Sequence, residues 1–118
     1  MSKNIYLFPG QGAQHVGMGK ELCENYPEAD DIFTRAEAVS GLPLKKLCFE
    51  GPEEDLTLTA HAQPAIFTMS VAMLAVSSGK ISGPDMCAGL SLGEYSALYA
   101  AGAVDFEAAV KLVTERGR

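Results

Sequence analysis

Residues 87–102, CAGLSLGEYSALYAAG, hold a serine between two glycines, with a helix-forming run directly behind it. Upstream, DMCAG (residues 85–89) has the composition of a short buried strand. A strand that turns within a few residues into a helix is the βα unit of a parallel sheet. Gly89-Leu90-Ser91-Leu92-Gly93 reads as GxSxG at that junction, which is where a nucleophilic serine on a tight strand-to-helix turn is found. At such a turn the hydroxyl projects outward, and the N–H of Leu92 and the helix start face the same small volume, favouring an oxyanion. Glu94, in the first helical turn, suits the helix dipole. The competing reading of the same five residues is a plain turn with a capping serine.

Working outward, the first strand is NIYLF (Asn4 to Phe8), read as central in the sheet and stopped by PGQGAQ (residues 9–14). Helical patterns follow over Gly19–Tyr26 and Pro27–Val39, the second with Pro27 in its first turn and Glu28, Asp30 and Asp31 near its positive end. Residues 40–59 contain Gly41, Pro43, Gly51 and Pro52 and read as a connection, with at most a turn or two of helix at Pro52–Leu56. QPAIFTMSVAMLAVSSG predicts a long apolar helix from about Pro64 to just before Gly79. Two more helices fall on 93–102 and 105–117. In the latter Phe106, Ala109, Val110 and Val113 form one apolar face. The element order is α/β, and two strands are few for a parallel sheet, so the 118 residues read as one packing unit that is the opening part of a larger domain.

Composition narrows the function classes. With 47% hydrophobic and 20% charged residues the chain can build a core, and a net charge of −6 opposes binding to a phosphate backbone, so nucleic acid is not expected as a partner. Cys23, Cys48 and Cys87 are odd in number and widely spaced, with no CxxC pair or histidine cluster, so no metal is expected and a reduced, cytoplasmic setting fits. The opening residues lack the apolar core of a signal peptide, and Ala65–Val76 is too short to span a bilayer, so no membrane is expected. A serine needs a base, most often histidine, and the chain offers His15 and His61.

Three ordered stretches, FPGQGAQHVGMG (8–19), AQPAIFTMSVAML (62–74) and residues 88–117, together resemble the malonyl-CoA:acyl carrier protein transacylases of fatty acid synthesis and the related acyltransferase domains of polyketide synthases. The resemblance implies the large subdomain of that fold over residues 1–118, a parallel-sheet, α/β-hydrolase-like core, incomplete here and without the small ferredoxin-like subdomain. It implies a ping-pong reaction with malonyl-CoA and acyl carrier protein as partners, a coenzyme A thioester as substrate and no cofactor.

Residue by residue, it implies Ser91 as nucleophile and the backbone N–H groups of Gln11 and Leu92 as the oxyanion hole. Arg116 holds the malonyl carboxylate, with Arg118 the weaker candidate, and Gln63 supports the site. A guanidinium fork can grip a carboxylate through two parallel hydrogen bonds, which lysine cannot copy. Leu90 departs from the family, where many members have histidine before the serine. The family's catalytic histidine lies downstream, and neither His15 nor His61 matches it, so the base is expected outside this chain. Readings to set beside the transacylase are a non-catalytic acyl-CoA or carrier-protein binding module, a polyketide-type acyltransferase and a simple serine esterase. The family's carrier is acidic, so docking it needs a local basic patch. An incomplete sheet is also open to self-association through its edge.

Overall fold

The computed structural model describes residues 5–10, 12–77, 86–89 and 92–117. In chain order these form β1 (Ile5–Phe8), α1 (Lys20–Asn25), α2 (Pro27–Ser40), α3 (Leu44–Phe49), α4 (Glu53–Thr57), α5 (Thr59–Ser77), β2 (Met86–Gly89), α6 (Gly93–Ala100) and α7 (Phe106–Gly117). The strands pair in parallel with Ile5 opposite Met86 and Phe8 opposite Gly89, and the crossover between them carries five helices. The α/β class is therefore as the sequence predicts.

Helix α5 is the hub, packed by α2, α3, α4, α6 and α7. The apolar face read from α7 is buried as Phe106, Ala109, Val110 and Val113, and α2 answers with Ala29, Ile32, Phe33 and Ala36. Phe67 of α5 stacks on Phe106 at 6.2 Å, and the Tyr99 ring meets both edge-on. Burial of such side chains, worth about 1.5–3 kcal/mol each, dominates the fold's stability. The α7 start is capped by Asp105, whose carboxylate accepts the Ala108 N–H at 2.8 Å. Pro27 opens α2, and Gly41 closes it in the left-handed conformation. Arg35 ties α2 to α7, bonding Glu107 at 2.7 Å and lying 4.7 Å over the Phe106 ring.

Three local expectations need correction. Residues 44–49 are helical, because burial of Leu44, Leu47 and Cys48 outweighs the flanking Pro43 and Gly51. Helix α5 begins at Thr59 rather than Pro64: the Leu58 carbonyl accepts the N–H groups of His61 and Ala62, and Pro64 sits buried inside the helix. Finally, α5 at 19 residues is long and apolar enough to cross a membrane by length and composition. Its continuous run from Ala62 to Thr68 is instead buried by the surrounding helices.

Candidate active site

Ser91 and Gln11 lie outside the described residues, as do Leu90 and Arg118, so the site is built from what frames them. Strand β2 ends at Gly89 and α6 begins at Gly93. A side chain on Gly89 would strike the Gly93 carbonyl group and the Glu94 amide, and one on Gly93 would strike the Phe8 carbonyl. The end of β1, the end of β2 and the first turn of α6 therefore meet backbone to backbone, with no room for a methyl group. That contact is the physical content of the two motif glycines. It crowds the neighbouring strand end as well as the turn itself.

Leu92 is fully buried, with helical backbone angles, and its carbonyl accepts the Tyr95 N–H at 3.0 Å. The core thus fixes the first turn of α6, the end at which the helix dipole is positive. On the other side, the described residues of the loop after β1 are tied by short-range hydrogen bonds. The Ala13 N–H reaches the Gly10 carbonyl at 3.2 Å, and the Gly12 N–H reaches Gln14 Oε1 at 2.7 Å. Gly12 holds a φ of 111°, which an L side chain rarely adopts.

Arg116 stands exposed in the last turn of α7, its guanidinium 5.5 Å from the Tyr95 ring centroid. Tyr95 is one helical turn from Leu92, so Arg116 is brought to the same end of α6 as the Leu92 backbone. The next residue, Gly117, is buried. A Cβ there would lie 2.9 Å from the Thr59 carbonyl oxygen and 3.0 Å from Ala60 Cα, so the end of α7 rests directly on the start of α5. Just past that contact along α5 is Gln63, buried, with an Oε1 that has no hydrogen-bond partner among the described residues. An unmet buried acceptor costs about 1–3 kcal/mol, which makes Gln63 an incomplete hydrogen-bonding position. Arg116, Leu92 and Gln63, picked out separately in the sequence, are thus linked through the ends of three packed helices. Tyr95 and Gly117 were not singled out. Nothing in the spacing couples residue 95 to residue 116, because the two meet only through the α6–α7 packing.

The two histidines face elsewhere. His15 lines an open recess of about 1200 Å³ beside β1, α1 and α5, along with Leu7, Met18, Tyr26 and Met73, and neither Leu92, Gln63 nor Arg116 lines it. His61 Nδ1 is 2.7 Å from the Asp55 carbonyl oxygen of α4. The cysteines are free thiols, and burial pushes Cys48 up to about 12 and Cys23, with added repulsion from Asp30, to about 11. Both are protonated at neutral pH and poor nucleophiles.

The family described as acyl transferase domain matches residues 5–118. Among curated relatives, the malonyl CoA-acyl carrier protein transacylase of Bacillus subtilis strain 168 is 52% identical over 117 residues, covering 99% of this chain and 37% of that protein. A solved malonyl transacylase from Streptococcus pneumoniae superposes with a TM-score of 0.93 at 49% identity, covering 98% of this chain and 37% of that one. A malonyl-transacylase solved in complex with a type II polyketide acyl-carrier protein gives a TM-score of 0.92 at 44% identity, over 98% and 38% of the two chains. The chain thus spans less than two-fifths of the length of the relatives it matches.

Proposed function

The chain belongs to the acyl transferase domain family, and from that premise we propose that it carries the nucleophile of an enzyme that moves a malonyl group from coenzyme A to the phosphopantetheine thiol of an acyl carrier protein. The product would supply extender units for fatty acid synthesis in the cytoplasm. The observation that supports this reading is the backbone contact among Phe8, Gly89 and Gly93, which packs the end of β1 against the end of β2 and the first turn of α6.

In this reading Ser91 Oγ attacks the thioester carbonyl carbon as a base removes its proton. The C–S bond then breaks, and coenzyme A leaves as the thiol after taking that proton. The carrier thiol attacks the resulting ester, and the serine oxygen recovers a proton on leaving. Negative charge on the carbonyl oxygen is met by the N–H groups of Leu92 and Gln11, and one such donor is worth about 10²–10³-fold in rate. The reaction changes no oxidation state, so no redox cofactor is invoked. Arg116 binds the malonyl carboxylate, and the free Oε1 of Gln63 accepts a hydrogen bond from a supporting group or substrate. The base comes from the full-length polypeptide outside these 118 residues, a reading supported by the separate engagements of His15 and His61.

The test is the intact mass of the full-length protein after mixing with malonyl-CoA. A malonyl mass gain is expected, and it should be absent in Ser91→Ala. No gain in the unaltered protein would overturn the acyl-enzyme and leave a module that binds acyl-CoA or carrier protein without catalysis.

A further inference from the structure

Gln63 Oε1 on α5 and Ser96 Oγ on α6 are both buried without a hydrogen-bond partner among the described residues. Ser96 is sealed from solvent, and Gln63 is 6% exposed. A hydroxyl inside a helix can bend back to the carbonyl four residues earlier. Thr68 does so on the Pro64 carbonyl and Thr114 on the Val110 carbonyl, each at 2.7 Å. Ser96 makes no such bond to Leu92, so its hydroxyl is left for a partner outside its own helix.

The packing sets both residues at one level of the α5–α6 interface. Tyr99 of α6 meets Phe67 of α5 edge-on at 6.2 Å. Tyr95 lies by Arg116, and the adjoining Gly117 rests on Thr59 and Ala60. The two helices therefore run in the same sense from the site end toward the ring pair. One turn before that pair stand Gln63, four residues from Phe67, and Ser96, three residues from Tyr99, and such spacings share a helix face. An unmet buried hydroxyl or carbonyl is costly, and buried waters ordinarily serve atoms of this kind. We propose that Gln63 and Ser96 form a site for one buried water, which accepts the Ser96 hydroxyl proton and donates to Gln63 Oε1. The bridge clasps α6 to α5 one turn behind Leu92, which makes Ser96 a positioning residue for the Leu92 N–H. The clasp stands on packing alone. Its effect on rate rests on the reading of that N–H as an oxyanion donor.

The experiment is a double-mutant cycle on the full-length protein with Ser96→Ala, Gln63→Met and the two together, following Tm and the kcat and KM of transfer from malonyl-CoA. Methionine keeps the length of glutamine without its carbonyl. Each single variant strands the opposite polar atom, and a fall in Tm of about 2–4 °C is expected. The double variant, with neither atom left to satisfy, should fall no further than the larger single fall. Ser96→Ala should also lower kcat about three- to ten-fold with KM for malonyl-CoA at the parental value. A Tm unchanged or raised in Ser96→Ala would overturn the clasp, since the hydroxyl would then have been bonded to nothing. Falls that simply add in the double variant would sink it too, because the two atoms would share no partner. A Tm cycle as expected with parental kcat removes the positioning role and keeps the water site. If the unaltered protein transfers no malonyl group, the proposed function fails and the positioning role with it, while the Tm cycle still decides the water site.

Discussion

Two regions of the molecule are packed by opposite means. Around α5 the contacts are made by large side chains, with Phe33, Phe67, Leu44 and Val110 sealed from solvent. Where β1, β2 and α6 meet, the contacts are made by backbone, and Gly89 and Gly93 matter for the side chains they lack. The helical region supplies stability through buried area. The strand–helix corner supplies position, because backbone atoms in contact cannot shift as side chains can. A fold built this way can lose stability without losing geometry, or geometry without much stability.

The largest effect should come from cutting into the helical region. Phe67→Ala is expected to cost about 3–5 kcal/mol, read as a fall in the denaturation midpoint, while acylation per folded molecule stays near the parental rate. Gly93→Ala should do the reverse. Its methyl group must displace the Phe8 carbonyl, and a misplacement of about 1 Å can cost 10²-fold in rate, so serine acylation should fall by about that factor. Stability should drop by only about 1–3 kcal/mol. If the two variants lose rate and stability in the same proportion, the division between the regions is wrong.

Alkaline titration sharpens the comparison. The buried Cys48 thiol ionises near 12 when folded, against an ordinary value of 9.0, so the folded state holds its proton longer than the unfolded state. That contribution is fully present below pH 9 and lost as pH climbs toward 12, and Cys48→Ala should flatten the decline of Tm across that window. The smallest effect belongs to the surface. The hydrogen bond from Arg35 holds the Glu107 carboxyl below its ordinary value of 4.5. Its stabilising contribution is therefore present above that value and lost as pH falls below it, and Glu107→Gln should remove a slight acid-side dependence of Tm with no change in acylation.

The same division explains what the sequence disclosed. The α7 face was legible because Phe106, Ala109, Val110 and Val113 recur at the helical period, and the strand end at Gly89 and helix start at Gly93 were legible because the residue types there are restricted. Helix α3 was not, since six residues between Pro43 and Gly51 are too few to show a period and are helical for tertiary reasons. Pro64 signalled a helix start, yet its ring is accommodated within α5. Of the candidate site, the resemblance marked Gln11, Gln63, Ser91, Leu92 and Arg116. Tyr95 was invisible, because its contact with Arg116 depends on how two helices pack.

The parallel register of Phe8 with Gly89 joins the two ends of a long crossover. Contacts between such distant residues must offset a large loop-closure entropy and form slowly, whereas helices packed against sequence neighbours can assemble early. On a growing polypeptide, β1 would wait unpaired beside α1 to α5 until β2 had been synthesised, and α7 would seal α5 only after that strand pair could form.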